Sequence, residues 1–148
     1  MIIKSITNQD DLWEKTTNYA EQCSWSAGKH LAQEMKINSF SDWERVFVAL
    51  EDDRIAGYCT LSKTDCIPNV PYTPYISYMF VGEQYRGNRL SQKLIDYVLE
   101  YAKGLNFDRV YLVSDHINLY EKYGFIKIDE KPAPWNPVIN ETIFIRLI

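Results

Sequence analysis

The change of hydrophobic period at residue 90 constrains the fold of this chain most. Residues 75–81 form a β-branched and aromatic run that predicts a strand. From Leu90 the apolar residues recur every four positions, which predicts an amphipathic helix that ends at Gly104. A further strand is predicted at residues 109–113. A strand, a long helix and another strand in this order predict a crossover connection within a sheet.

The rest of the chain alternates between the two periods and predicts further strands and helices around that unit. Strands are expected at residues 2–6, 46–50, 55–61, 125–129 and 142–147, and helices at residues 10–22, 29–37 and 117–123. Proline-containing loops are expected at residues 64–74 and 131–137. Hairpins in the first half and the crossover in the second predict a mixed sheet with helices on both faces, of the α/β (α+β) class.

Length and charge exclude several classes of protein. The 148 residues suit one domain, residues 1–148, with its own hydrophobic core. The net charge is −4 and residues 86–93 form the one concentrated basic segment, so a nucleic-acid partner is not expected. No apolar stretch approaches the roughly 20 residues that cross a bilayer, and no secretory segment follows Met1, so we expect a cytoplasmic protein without a membrane partner. Three cysteines without a C-x-x-C pair predict neither a disulfide framework nor a metal site.

The turn between the central strand and the long helix carries the clearest chemical signal. A helix that begins directly after a turn directs its unpaired amide N–H groups outward, where the helix dipole also favours an anion such as a phosphate or diphosphate. Gly87 allows close approach of the backbone, and Arg86, Arg89 and Lys93 add positive charge. An ordinary strand–helix turn with solvated arginines explains the same residues, so this segment alone leaves both interpretations open.

Two motifs in order resemble the GNAT superfamily of acyl-CoA-dependent N-acetyltransferases. The matching residues of the turn motif are Gln84, Arg86 and Gly87, and those of a later Tyr-x-x-x-Gly-Phe motif are Tyr120, Gly124 and Phe125. Each motif is weakly specific by itself, but the two lie in the family's order around a helix of the right length. The chain departs from the family at Arg89, where a glycine or alanine is usual, and at Ser91, where a further glycine is frequent.

The resemblance implies a fold and a set of ligand-binding residues. The fold would be a mostly antiparallel, twisted sheet of about seven strands that splays in the middle. The amides of residues 86–91 would hold the diphosphate of acetyl-CoA, and the pantetheine arm would pair with the main chain of Phe80 and Val81. The implied acetyl-CoA-binding residues are Phe80, Val81, Gln84, Arg86, Gly87, Asn88, Arg89, Leu90 and Ser91.

The implied reaction is transfer of an acetyl group to a primary amine by direct attack in a ternary complex. Tyr120 would be the general acid, since a phenol with a pKa of about 10 stays protonated at neutral pH and can donate to a departing thiolate. A tyrosine that merely packs would look the same in the sequence. An amine must also lose a proton before it attacks, and the candidate general bases are Asp65, Glu83, His116, Tyr78 or a chain of water molecules.

The acceptor is left open as a small amine, a peptide N-terminus or a lysine. The overall acidity is consistent with a cationic amine. Aromatic residues that could line its pocket are Trp13, Trp25, Trp43, Tyr72 and Tyr75, and residues 132–135 could form a lid. Two alternatives keep the fold without the reaction: a non-catalytic acyl-CoA-binding sensor and a protein-interaction domain. A homodimer is also left open.

Overall fold

A computed structural model describes the whole chain, residues 1–148. Its strands are β1 (Ile2–Ile6), β2 (Arg45–Glu51), β3 (Arg54–Ser62), β4 (Tyr75–Val81), β5 (Arg109–Ser114), β6 (Ile126–Ala133) and β7 (Asn136–Leu147). Its α-helices are α1 (Leu12–Gln22), α2 (Ala27–Lys36) and α3 (Leu90–Gly104). No helix has the length and apolar composition that crossing a membrane requires.

The strands form one sheet of seven in the order β1-β2-β3-β4-β5-β7-β6. All neighbours are antiparallel except β4 and β5, which are parallel and are joined by α3. The predicted mixed, mostly antiparallel sheet is therefore confirmed, as are the β2–β3 hairpin and the crossover through α3.

The hydrophobic core lies on both faces of the sheet because alternate residues of each strand point to opposite sides. On one face Leu94 and Val98 of α3 pack with Phe47 of β2. On the other, Leu31 of α2 packs with Val46 of the same strand. The prediction of helices on both faces is confirmed.

Two local predictions near the C-terminus are wrong. Residues 131–137 do not form a loop, since β6 continues to Ala133, β7 begins at Asn136, and only Pro134 and Trp135 lie between them. Pro132 lies in β6, an edge strand, and Pro137 lies in the part of β7 that extends beyond the residues paired with β5. Each strand therefore has an unpaired edge at its proline, where a missing N–H is tolerated. The helix predicted at residues 117–123 is a single 3-10 turn, Tyr120–Tyr123, closed by Gly124 at φ +87°.

Candidate active site

A bulge in β4 opens the sheet at its centre. Between the Tyr58–Phe80 and Thr60–Ser77 pairs, one residue of β3 lies opposite two residues of β4. The extra residue bends a strand, and Tyr78 within the bulge adopts a left-handed φ of +52°. β4 and β5 consequently pair only at Tyr75 and Tyr111 and then separate.

The separation creates a cleft of about 1060 Å³ between the two strands. Its walls include the bulge of β4, the end of β5, one side of α2 and the loop after β3. Trp135, at the tip of the β6–β7 hairpin, also lines the cleft although 63% of its surface is exposed. A concave site of this size accommodates a small-molecule ligand.

The turn before α3 presents a row of amide groups without protein partners. The first N–H of the helix that bonds to the main chain is that of Lys93, which donates to the Arg89 carbonyl at 3.2 Å. The amides of residues 87–92 donate to no protein acceptor, and no side chain caps the helix. Gly87 has a φ of +84° and nothing within 4 Å of the position that a Cβ would take. The backbone is therefore open to a ligand at Gly87, and the amides that follow it are free of protein acceptors.

Positive charge surrounds these amides. Arg86, Arg89 and Lys93 are all exposed. Glu83 offsets part of this charge, since it lies 4.0 Å from the Arg86 guanidinium and its carboxylate also accepts from Ser24. Together the free amides and the cations favour an anion such as a phosphate.

The remaining residues of the turn differ in exposure. Gln84 and Asn88 are exposed, and the Asn88 side-chain amide donates to the Tyr85 carbonyl at 3.4 Å. Leu90 is buried and anchors the start of α3 in the core. Ser91 is half-buried, and its hydroxyl is hydrogen-bonded to the Tyr123 hydroxyl at 2.8 Å.

The side chain of Phe80 is part of the hydrophobic core. Its ring stacks on Trp25, with centroids 6.1 Å apart, and on Tyr58 at 5.5 Å. The Arg86 guanidinium lies 5.8 Å from the centre of the same ring, in cation–π geometry. Phe80 therefore links the core under α2 to the cationic turn.

The main-chain N–H and C=O of Val81 lie on the open edge of β4, away from β3. The next residue, Gly82, donates its N–H to the Ala56 carbonyl of β3 at 2.8 Å. Successive residues of a strand direct their main-chain groups to opposite edges, so those of Val81 point away from β3. Its carbonyl accepts from Arg86 Nε at 3.0 Å.

Tyr120 lines the cleft at the end of β5 and is only 5% exposed. Its ring packs against Phe125 and Phe144, at 6.1 and 6.2 Å between centroids. Burial, helped by the nearby Cys59 thiol, raises the pKa of Tyr120 to about 12. No side-chain hydrogen bond occupies its hydroxyl, so this group is a protonated donor that is free to serve a ligand in the cleft.

Tyr123 connects the turn to Tyr120. Its hydroxyl contacts Ser91 at the head of α3, and its ring lies 6.2 Å from that of Tyr120. Asn118 has a left-handed backbone, which bends the chain just before the segment that holds both tyrosines. This segment is therefore a single 3-10 turn and not a full helix. Tyr123 therefore bridges the turn with the free amides and the protonated phenol of Tyr120.

Three of the four candidate bases line the cleft. Asp65 accepts from the Ser77 hydroxyl, Tyr78 lies near Glu34, and the His116 ring lies 6.3 Å from that of Tyr120. Burial raises the pKa of Tyr78, which makes this phenol a poor base at neutral pH. Glu83 lies outside the cleft beside Arg86.

Among the aromatic residues considered for the acceptor pocket, only Trp25 lines this cleft. Trp13 packs edge-on against Phe40, and Trp43 packs against Phe107. Tyr72 and Tyr75 pack against Tyr111, at the position where β4 and β5 pair.

Sequence reasoning missed four acidic residues that line the cleft, Glu34, Glu44, Asp115 and Glu141. Burial raises the pKa of the Glu34 and Glu141 carboxyls, and neighbouring carboxylates add to the effect. Glu34 could have been found, because it lies one helical turn after His30 and next to the buried Leu31 and Met35 on α2. Nothing in the sequence marks Glu141, which reaches the cleft only through the pairing of β7.

The comparison with known families decides the classification. A sequence model of the Acetyltransferase (GNAT) family matches residues 9–125, which is most of the chain. The chain belongs to the GNAT acetyltransferase family. The sequence-based identification of the family is thus confirmed, and the splayed seven-stranded sheet is the fold expected of a GNAT protein.

Relatives of this GNAT chain agree with that assignment. An uncharacterized N-acetyltransferase of Dictyostelium discoideum is 30% identical over 74 residues, which are 47% of this chain and 33% of the relative. The chain therefore spans about a third of the length of this curated relative.

Two solved structures have the same fold over nearly the whole GNAT chain. The aminoglycoside 6'-N-acetyltransferase from Enterococcus faecium is 14% identical, covers 99% of this chain and 97% of its own, and has a TM-score of 0.74. An aminoglycoside 6'-N-acetyltransferase complexed with coenzyme A is also 14% identical, with the same coverage and a TM-score of 0.73. At this identity the likeness concerns the fold.

Proposed function

We propose that residues 1–148 form one N-acetyltransferase domain, which transfers an acetyl group from acetyl-CoA to a primary amine by direct attack in a ternary complex. One observation carries the proposal. The row of free amides at residues 87–92 lies beside a cleft that contains a buried, protonated tyrosine. Family membership supports the same reaction class.

The residues of the turn fit the diphosphate of acetyl-CoA. Free N–H donors, space above Gly87 and the charges of Arg86, Arg89 and Lys93 are what a diphosphate requires. Gln84, Asn88, Leu90 and Ser91 complete the segment that holds the donors in place. When bound, acetyl-CoA supplies an acetyl group activated as a thioester.

The open edge of β4 suits the pantetheine arm. Phe80 and Val81 are its proposed partners, and of the two the main chain of Val81 points away from β3. An extended ligand can add to an unpaired strand edge through main-chain hydrogen bonds. This placement would direct the thioester into the cleft toward Tyr120.

Tyr120 acts as the general acid in this proposal. The attacking amine forms the C–N bond, the C–S bond breaks, and the Tyr120 hydroxyl gives its proton to the departing sulfur, whose thiol has a pKa of about 8.5. With a pKa of about 12, the phenol is protonated throughout the neutral range and regains its proton from solvent. The proton of the amine leaves through Asp65, His116 or water.

The test is release of free thiol from acetyl-CoA in the presence of a panel of primary amines. We expect an amine-dependent rate that falls about 100-fold in Tyr120→Phe, with acetyl-CoA affinity unchanged, because a general acid contributes about 10²–10⁴-fold. Tyr75→Phe is the matched control, since Tyr75 is a buried tyrosine outside the cleft whose hydroxyl has no partner.

Two outcomes would contradict the proposal. Equal turnover in Tyr120→Phe and the parent protein would show that the general acid is wrong. Binding of acetyl-CoA without thiol release by any amine would instead favour the non-catalytic sensor.

A further inference from the structure

The cleft carries a large excess of negative charge. Its lining includes five carboxylates, on Glu34, Glu44, Asp65, Asp115 and Glu141. Lys63 is the one lysine or arginine of the lining, which also contains His30 and His116. Every salt bridge of the protein lies elsewhere, so none of the five carboxylates has a cationic partner.

Among the five carboxylates, Glu141 gives the strongest indication of a cationic ligand. It is only 7% exposed, and its side chain lines the cleft without forming a hydrogen bond or ion pair. Its carboxylate oxygens retain contact with solvent in the cleft, but the low exposure of the side chain still weakens the hydration of the charge, which lowers stability. A cationic ligand in the cleft would provide the missing partner.

The acidic residues of the cleft are close enough to influence one another. The negative charge of Asp65 helps to raise the pKa of both Glu34 and Glu141. Asp115 likewise helps to raise the pKa of Glu141 and of Tyr120. The cleft that contains the proposed general acid is therefore a region of concentrated negative charge.

Asp65 and Glu44 are held in place by neutral donors. Asp65 accepts from the Ser77 hydroxyl. The Tyr78 hydroxyl lies near the Glu34 carboxylate and lowers its pKa, against the larger effect of burial. Glu44 accepts from the amide of Lys63 at 2.8 Å. Neutral donors orient a carboxylate without neutralising it, so its attraction for a cation remains.

Aromatic rings line the same space. Trp25 and Tyr78 lie near Glu34, with ring centroids 6.3 Å apart, and Phe40 and Trp135 also face the cleft. Rings of this kind bind ammonium groups through cation–π attraction, and tryptophan is the strongest. They would also contact the carbon chain between two such groups.

From this arrangement we infer that the acceptor is a small amine with at least two cationic amino groups. The amine that reacts lies near Glu141 and Tyr120, and a second ammonium group binds between Glu34 and Asp65. The inference rests on the proposed function and adds the class of acceptor. Both linear diamines and amino sugars have this chemistry.

The first experiment compares 1,5-diaminopentane with 1-aminopentane in the thiol-release assay at saturating acetyl-CoA. We expect kcat/KM to be at least tenfold higher for the diamine. Glu34→Gln should raise the KM of the diamine about tenfold and leave that of the monoamine nearly unchanged. Glu51→Gln, at the exposed end of β2, is the control and should change neither value.

A second arm uses kanamycin, an amino sugar with several ammonium groups, and applies the same Glu34→Gln test. A larger effect on kanamycin than on the diamine would assign the site to amino sugars, and the reverse would assign it to linear amines. Equal kcat/KM for the monoamine, the diamine and kanamycin in the parent protein would overturn the inference while leaving the proposed function intact.

Direct binding separates this inference from the proposed function. If no amine releases thiol, calorimetry of 1,5-diaminopentane and of kanamycin is carried out in the presence of coenzyme A. Binding that weakens in Glu34→Gln supports the acidic acceptor site even then, and absence of binding by both amines overturns it. Failure of acetyl-CoA itself to bind would contradict the proposed function alone.

Discussion

Two residues of the turn before α3 have a left-handed backbone, and only one of them is a glycine. Gly87 has a φ of +84° and Arg89 a φ of +58°. For a residue with a Cβ, this conformation costs about 1–2 kcal/mol. Arg89 retains it at the N-cap of α3, where its charge lies beside the free amides. Compared with a glycine at this position, Arg89 therefore adds positive charge at the proposed diphosphate site and lowers stability.

Arg89→Gly should raise the free energy of unfolding by about 1 kcal/mol relative to Arg89→Ala, because both remove the charge but only glycine relieves the backbone. Urea unfolding of the two variants measures this difference. Both variants should bind acetyl-CoA more weakly than the parent protein. Equal stability of the two variants would show that the left-handed conformation carries no cost here.

At the scale of elements, the bulge of β4 and the turn after it work together. The bulge ends the pairing of β4 with β5, and the turn places the free amides at the head of α3. Arg86 links the two, since its guanidinium donates to the Val81 carbonyl and lies over the Phe80 ring. A charge change at Arg86 should therefore affect both ligand binding and the local structure of the turn.

Arg86→Glu should weaken acetyl-CoA binding at least tenfold, because a cation beside the phosphates is replaced by an anion. Calorimetry at low and high salt measures the effect, which should shrink as salt screens the charges. Arg54→Glu, the same change at the exposed start of β3, is the control and should leave the affinity unaltered. Unchanged affinity in Arg86→Glu would argue against the diphosphate site.

The elements around this turn could be predicted well from the sequence. The period change at Leu90, the β run of residues 75–81 and the stop at Gly104 define β4, α3 and their order, and the structure confirms them. The β6–β7 hairpin could not be predicted, because its prolines indicate a loop unless the strand is known to lie at the edge of the sheet.

At the scale of the whole molecule, the cleft is a source of instability. Burial first, and then Asp115 and Asp65, raise the pKa of Glu141, while His116 lowers it. A raised pKa means that the folded protein binds this proton more tightly than the unfolded chain does. The charged carboxylate therefore destabilises the fold above its folded pKa, and this cost disappears as the pH falls through that value.

Glu141→Gln should therefore raise the free energy of unfolding near neutral pH by about 1 kcal/mol, at the low end for an unpaired buried group because the carboxylate faces the cleft. The gain over the parent protein should shrink as the pH is lowered toward 4. Thermal unfolding of both proteins at several pH values measures it, with Glu51→Gln as an exposed control. A gain that is independent of pH would contradict the assignment of the cost to the charge.

The sequence by itself determined the family, the order of elements and the position of the turn before α3, because these depend on residues that are close together along the chain. Gln84, Arg86 and Gly87, like Tyr120 and Gly124, form local motifs whose spacing is visible without a fold. Only the tertiary structure brought Glu34 of α2, Asp65 of the loop after β3 and Glu141 of β7 to one cleft. Strand pairing and helix packing join these distant segments, and burial of a carboxylate is a property of its surroundings that no local pattern records.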